Sequence, residues 1–262
     1  MLPTAEAGAA ERRTLAAFDR QWRAFGRLRR LFGKDPAAMA AHLVGRRMGS
    51  WIDADWYRGR LVLDAGCGHG RYLPAFAALG ATVVGLDAGR GPEEAGASLD
   101  DPRIGVVQGS VLRLPFRDET FDLAFCDGVI HHTPDPRAAF RELARVVRPG
   151  GGVYVWVYPR EGRLRESFFR AVRAVTTRLP GSLVRATSFA LAPLTLVVPS
   201  YSATRFGRAT WAECAQVVHD WLAPPLQSHH DYDEVAGWAA ECGLTRMERL
   251  PVPTGLTAWK PA

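Results

Sequence analysis

The stretch Leu61-Val62-Leu63-Asp64-Ala65-Gly66-Cys67-Gly68-His69-Gly70-Arg71-Tyr72 decides the fold. It opens as a short apolar run without polar alternation, the pattern of a strand buried on both faces. It closes on Gly66, Gly68 and Gly70, a glycine at every second position. A strand that ends in such a loop and restarts as a helix brings bare backbone N–H groups close to a ligand, because no Cβ holds the ligand off. The spacing differs from the dinucleotide fingerprint G-x-G-x-x-G, in which the last glycine opens directly into the helix.

Outward from this stretch, strands and helices alternate, the signature of an open, mostly parallel α/β sheet. Tyr72 to Leu79 reads as a crossover helix stopped by Gly80, and Thr82 to Leu86 as a second buried strand followed by Asp87. Ala88 to Asp101 is rich in Gly, Pro and acids and reads as a loop with a reduced helix. Arg103–Val107, Phe121–Cys126 and Val153–Tyr158 read as strands three to five. Between the last two lies a helix from Ala138 to Val147, with Phe140, Leu143, Ala144 and Val147 on one face. Thr245–Leu250 and Gly255–Lys260 read as a final antiparallel hairpin.

The order Asp-x-Gly-x-Gly-x-Gly, with Asp64 two residues before the first glycine, resembles motif I of the class I S-adenosylmethionine (SAM)-dependent methyltransferases. A second run agrees. Phe121-Asp122-Leu123, His131-His132, the helix bearing Arg141-Glu142-Leu143 and Arg145-Val146, and the Arg148-Pro149-Gly150-Gly151 turn are similar to the subfamily of ubiquinone and menaquinone methyltransferases. The resemblance covers residues 61–158. It implies a Rossmann-like three-layer α/β sandwich with a seven-stranded, mostly parallel sheet. An N-terminal helical cap (1–59) would precede the SAM-binding methyltransferase domain (60–262), with a helical lid inserted at about 159–228, before the last hairpin. The implied cofactor is SAM, leaving as S-adenosylhomocysteine. Its contacts would come from Asp64, Ala65, Gly66, Cys67, Gly68, Gly70, Asp87, Ala88, Ser110, Val111 and Asp127. Asp64 would orient the amino group and Asp87 would accept both ribose hydroxyls. Ser110 stands where the family usually carries an acid that meets the adenine amino group; its hydroxyl can still accept that bond.

A sulfonium methyl is already activated, so the protein chiefly aligns the partners and excludes water. A base is needed only if the acceptor must lose a proton. His132, and after it His131, lie where the acceptor should sit, and an imidazole suits the task; the alternative is that they wall the pocket. His229-His230-Asp231 is a second cluster, but the sequence places no further ligands beside it, and no metal is expected. Trp221, Tyr158 and Tyr201 fall where they could line the acceptor pocket.

At 262 residues the chain can bury a sizeable core. Its hydrophobic content of 47% and charged content of 23% are those of an ordinary globular protein, and no uninterrupted apolar run reaches bilayer length. Met1 to Arg13 lack the basic-then-apolar order of a signal peptide. Cys67, Cys126, Cys214 and Cys242 form no Cys-x-x-Cys pair, so a reduced, cytoplasmic protein is expected. The net charge of +6 is carried almost wholly by arginine, Lys34 and Lys260 being the only lysines. The arginines are dispersed, and Cys126-Asp127-Gly128-Val129 is not the Asn/Asp-Pro-Pro-Tyr of enzymes that methylate exocyclic base amines, so no nucleic acid partner is expected.

Residues 1–9 read as disordered. From Glu11 a helix places Leu15, Phe18, Trp22, Phe25 and Leu28 on one face, either packed on the core or closing over an acceptor. Asp35-Pro36 starts another helix, to about Met48. In the insertion, Leu164, Phe168, Val172, Val175 and Leu179 mark an amphipathic helix with Arg163, Arg165, Arg170, Arg173 and Arg178 on its other faces, followed by an apolar stretch, Leu183–Val198. A lid over the active site is the favoured reading of 163–198; peripheral membrane contact is the alternative. Helices from Trp211 to Leu222 and from Asp231 to Cys242 follow. The expected function is methyl transfer from SAM to a small apolar or amphipathic acceptor. A membrane-surface enzyme acting on a quinone or lipid precursor, and a non-catalytic SAM-binding protein, are the alternatives. The oligomeric state is not legible.

Overall fold

A computed structural model describes residues 4–25, 35–50, 52–91, 93, 100–193, 195 and 210–262. The chain forms two compact units: residues 36–160 with 228–262, and residues 1–35 with 161–227. Residues 36–59, assigned to the cap from sequence, thus group with the sheet.

The larger unit is built on seven strands: β1 (Leu61–Ala65), β2 (Thr82–Asp87), β3 (Ile104–Gln108), β4 (Phe121–Asp127), β5 (Val147–Trp156), β6 (Thr245–Arg249) and β7 (Gly255–Trp259). Their order is β3-β2-β1-β4-β5-β7-β6, with β1 to β5 parallel and β7 antiparallel to both neighbours. The expected seven-stranded sheet and terminal hairpin are both present. β1 and β4 are central and almost entirely buried, which is why neither alternates in polarity. β5 starts six residues earlier than expected: the Gly run is part of the strand, bulged opposite Phe121–Leu123. A Cβ at Gly151 would lie 2.7 Å from the Asp122 carbonyl oxygen, so glycine lets the bulged strand approach β4.

Two helices cover one face. Pro136–Val146 starts two residues earlier than expected, because Asp135 caps it by accepting from Ala138 N–H (2.9 Å) and Pro136 fits its first turn. It buries Phe140, Leu143 and Val146 in one core with Val235, Trp238 and Ala239 of the helix Tyr232–Glu241. The other face carries a file of aromatic rings. Tyr57 meets Phe76, Phe76 meets Phe125, and Phe125 stacks on Tyr154 with centroids 4.4 Å apart. Burying Phe125 alone contributes about 2–3 kcal/mol.

The smaller unit contains the helices Thr4–Phe25, Arg163–Thr176, Gly181–Leu191 and Trp211–Leu222, the last opened by a Thr210–Glu213 capping box. The first helix begins at Thr4, not Glu11. Its buried stripe is Ala10, Thr14, Ala17 and Gln21, while Leu15, Phe18 and Trp22 stay half-exposed. Small residues allow close helix approach, and the polar ones find partners. Leu226 N–H donates to Thr14 Oγ1 (3.1 Å). Gln21 Nε2 donates to Asp220 Oδ1 (2.5 Å), while His219 Nδ1–H donates to Gln21 Oε1 (2.9 Å). Burial, helped by the charge of Arg20, lowers the His219 pKa to about 4, so the ring is neutral at pH 7. The Phe25 side chain, Leu28, Tyr201 and the end of the 183–198 stretch lie outside the described residues.

Candidate functional site at the carboxyl ends of the strands

The sheet order reverses between β1 and β4, and in open α/β sheets the crevice at such a switch point is where ligands bind. The structure brings the residues singled out from sequence to this edge. Asp64 and Ala65 end β1, and Gly66, Cys67, Gly68 and Gly70 form the loop after it. Asp87 ends β2, with Ala88 next. Ser110 and Val111 follow β3, and Asp127 ends β4. His131 and His132 sit in the short 3-10 turn Ile130–His132 beyond it.

The loop is pinned by backbone bonds from Gly66 N–H (2.6 Å) and Cys67 N–H (3.0 Å) to the Leu86 carbonyl. Gly66 has φ +86°, and a Cβ there would lie 2.3 Å from Val129 Cγ2, so the loops after β1 and β4 can touch only at a glycine. Asp87 fixes the same loop from below, accepting from Gly68 N–H (2.9 Å) and Gly89 N–H (2.8 Å). Gln108 at the end of β3 holds the turn after Asp87 through the Ala88 and Gly89 carbonyls, both at 3.3 Å.

Asp64 is the group without a counterpart. Its Oδ2 is buried and has no hydrogen-bond partner in the protein. Burial raises its pKa to about 8, against the pull of the Arg71 charge and with the help of Asp127 and Asp87. A buried carboxylate oxygen left open beneath a glycine loop fits a cationic group of a ligand. The ammonium that SAM and S-adenosylhomocysteine both carry is such a group.

Asp127 differs. Tyr72 donates to its Oδ2 (2.7 Å) and Tyr154 to its Oδ1 (2.8 Å), so two phenols orient a carboxylate that the sequence assigned to the cofactor. Neither tyrosine was singled out for this role. Ser110 Oγ accepts from Leu112 N–H (3.2 Å) and caps its own turn. The Cys67 and Cys126 thiols are pushed well above their ordinary pKa by burial and by nearby carboxylates, so neither is a ready thiolate.

Beyond β4 the rings of His131, His132, Trp156 and Tyr158 form a box. His131 is 4.2 Å from His132 and 4.0 Å from Tyr158, centroid to centroid, with the Trp156 ring edge-on at 6.2 Å. His131 is fully buried, and neither ring nitrogen has a protein partner. Burial, then the charges of His132, His230 and His229, hold its pKa well below the usual imidazole range. The segment 228–230 closes the box. Ser228 N–H donates to the His131 carbonyl (2.9 Å), His230 N–H donates to the Tyr158 carbonyl (2.9 Å), and His229 Nδ1–H donates to the Pro159 carbonyl (3.0 Å). The two histidine pairs, read separately from sequence, thus lie around one tyrosine. The parallel bridge between Pro159 and His230 and the bond from Ser228 to His131 join them, long-range contacts that no local pattern announces.

Comparison with known proteins agrees with this geometry. Residues 63–155 match the family model of the methyltransferase domain. These residues are a methyltransferase domain. The match agrees with the methyltransferase resemblance read from the sequence. An uncharacterized methyltransferase of Mycobacteroides abscessus is 36% identical over 115 residues, 40% of this chain and 44% of that protein. The ubiquinone biosynthesis O-methyltransferase of Pseudomonas fluorescens is 36% identical over 114 residues, 40% of this chain and 47% of that protein. The chain spans about half the length of the curated relatives it matches. Among solved structures, the Burkholderia thailandensis 1,6-didemethyltoxoflavin-N1-methyltransferase, with 1,6-didemethyltoxoflavin and S-adenosylhomocysteine bound, superposes with a TM-score of 0.57 at 18% identity. That match covers 100% of this chain and 92% of the other, and it is a likeness of fold. Among the described residues no helix is long and apolar enough to cross a membrane.

Proposed function

We propose that the chain transfers the methyl group of SAM to a small apolar or amphipathic acceptor. The open, buried Oδ2 of Asp64 carries this reading: an anion-forming group without a partner, at the switch point and under the methyltransferase glycine loop, fits a bound cation. SAM would supply the activated methyl group, and the chain's own residues position and shield. Asp64 would hold the ammonium, and Asp87, at the end of β2, would accept from the ribose hydroxyls. The box of His131, His132, Trp156 and Tyr158 would take the acceptor, its ring faces favouring an apolar body and its ring nitrogens a polar tip. His131, held neutral and buried, suits a wall that accepts or donates one hydrogen bond. His132, seven per cent exposed, is the better-placed base where the acceptor must lose a proton.

Titration of the full chain with S-adenosylhomocysteine by calorimetry, beside Asp87→Ala, tests the reading. Micromolar binding is expected, weakened ten-fold or more by the substitution, about 1.4 kcal/mol. A folded wild-type protein that binds none would overturn it.

A further inference from the structure

We propose that the helix Arg163–Thr176 is a docking face for an anionic lipid bilayer. A helix on a globular unit ordinarily turns its apolar stripe inward. This one does the reverse. Leu164, Phe168 and Val175 fall within about 40° of one another around the helix axis, and they are 90%, 63% and 62% exposed. Ala171 on the same line is exposed as well. The buried residue of the helix is Arg173, on the opposite side at 7% exposure. The inward side is held by Phe169, which meets the Trp221 ring at 6.1 Å, and by Thr176, which donates to the Leu222 carbonyl (2.7 Å). The outward stripe is therefore not a helix waiting to pack on its own unit, whose contacts it already has. Leu183, Phe189 and Leu191 of the next helix are also substantially exposed.

Charge selects the occupant. Arg163 and Arg170 flank the stripe on one side and are exposed. From Ser167 to Ala212 the sequence has no Asp or Glu, while it holds Arg170, Arg173, Arg178, Arg185, Arg205 and Arg208. Exposed leucine and phenylalanine bordered by arginine, with the one acid of the helix, Glu166, half-buried and about 160° around the axis from Leu164, fit a surface that is apolar just below a negatively charged plane, and the arginine stems can reach back to that plane. A second copy of the chain fits worse, since a two-fold contact would bring the same arginines together.

Flotation of the full chain with vesicles of phosphatidylglycerol mixed into phosphatidylcholine tests this, beside vesicles of phosphatidylcholine alone. The wild type is expected to float with the mixed vesicles, and added salt should release it. The doubly substituted Leu164→Glu, Phe168→Glu protein should partition at least ten-fold less. Arg163→Gln with Arg170→Gln should lose binding to the mixed vesicles without becoming insoluble. Failure of the wild type to float at low salt, or undiminished binding by the Leu164→Glu, Phe168→Glu protein, overturns the proposal. So does a wild-type dimer that this double substitution makes monomeric, with no vesicle binding. Both substituted positions are solvent-facing, and calorimetry with S-adenosylhomocysteine on the same samples reports folding and the cofactor site separately. The proposal does not depend on that site.

Discussion

Asp64 and Asp122 are both buried aspartates on neighbouring central strands, and they sit at opposite ends of the sheet. Asp122, at the start of β4, is saturated. Leu61 N–H donates to its Oδ2 (2.8 Å), Arg60 reaches its Oδ1 at 3.1 Å, and Arg148 pairs with the same oxygen. It ties β1, β4 and β5 together where the sheet begins. Asp64, near the end of β1, has an oxygen with no partner. A buried carboxylate with its partners supplied by the protein holds the fold; one whose partner is missing is costly to the fold and meaningful only with a ligand. The same residue type, three strands apart in chain order, thus separates the structural end of the sheet from the chemical one.

The largest expected effect falls on the structural end. Asp122→Ala leaves the Leu61 N–H and two guanidinium groups without their shared acceptor. Hydrogen bonds to charged groups contribute about 1.5–3 kcal/mol each, but Arg60 and Arg148 are partly exposed and water replaces much of their share. A loss of about 3 kcal/mol in urea unfolding is expected, with S-adenosylhomocysteine affinity nearly unchanged at concentrations where the protein stays folded. A large loss of affinity with stability intact would erase the distinction between the two ends.

At the chemical end the effect should invert. The ligand-free Asp64 pKa of about 8 exceeds its ordinary value of 3.8. Between those values the native state keeps a proton that the unfolded state has released, so native stability falls as pH rises from about 4 to about 8. Asp64→Asn removes the ionisation and should flatten that fall, making the ligand-free protein the more stable one at pH 8. A cationic ligand favours the ionised carboxylate and so expels the proton. Calorimetry at pH 7 in buffers of different ionisation enthalpy should show the wild type releasing close to one more proton on binding than Asp64→Asn. The variant should also bind at least ten-fold more weakly, about 1.4 kcal/mol. Equal affinity and equal proton release would make Asp64 a second Asp122.

How legible each region was follows from how local its determinants are. β1, the glycine loop and Asp87 were readable because a buried strand and its exit loop are encoded in consecutive residues. The clamp on Asp127 was not, since Tyr72 and Tyr154 lie 55 and 27 positions away along the chain. The helices of the smaller unit failed differently. A helical repeat shows which residues share a face, but not which face is buried. In Thr4–Phe25 the small and polar stripe went inward because Gln21 and Thr14 find partners on other segments, and in Arg163–Thr176 the apolar stripe stayed outside. Length and period were legible there; orientation was decided by tertiary contacts.

Asp127 is the intermediate case, and it gives the smallest and most discriminating effect. It lies at the chemical end of β4, yet both its oxygens receive phenolic hydrogen bonds, as a structural carboxylate's would. Tyr154→Phe removes one of them while keeping the ring that stacks on Phe125. If Asp127 serves the fold, the loss is one buried hydrogen bond, about 1 kcal/mol, seen in unfolding, with S-adenosylhomocysteine affinity within about two-fold, or ~0.4 kcal/mol. If Asp127 serves the ligand, the two phenols are there to aim it, and releasing one should cost affinity more than stability. The protein would then carry two ligand carboxylates on β1 and β4, one left open and one pre-aimed. We expect the first outcome, because an oxygen already occupied by a tyrosine contributes less to a newcomer than the open oxygen of Asp64 does.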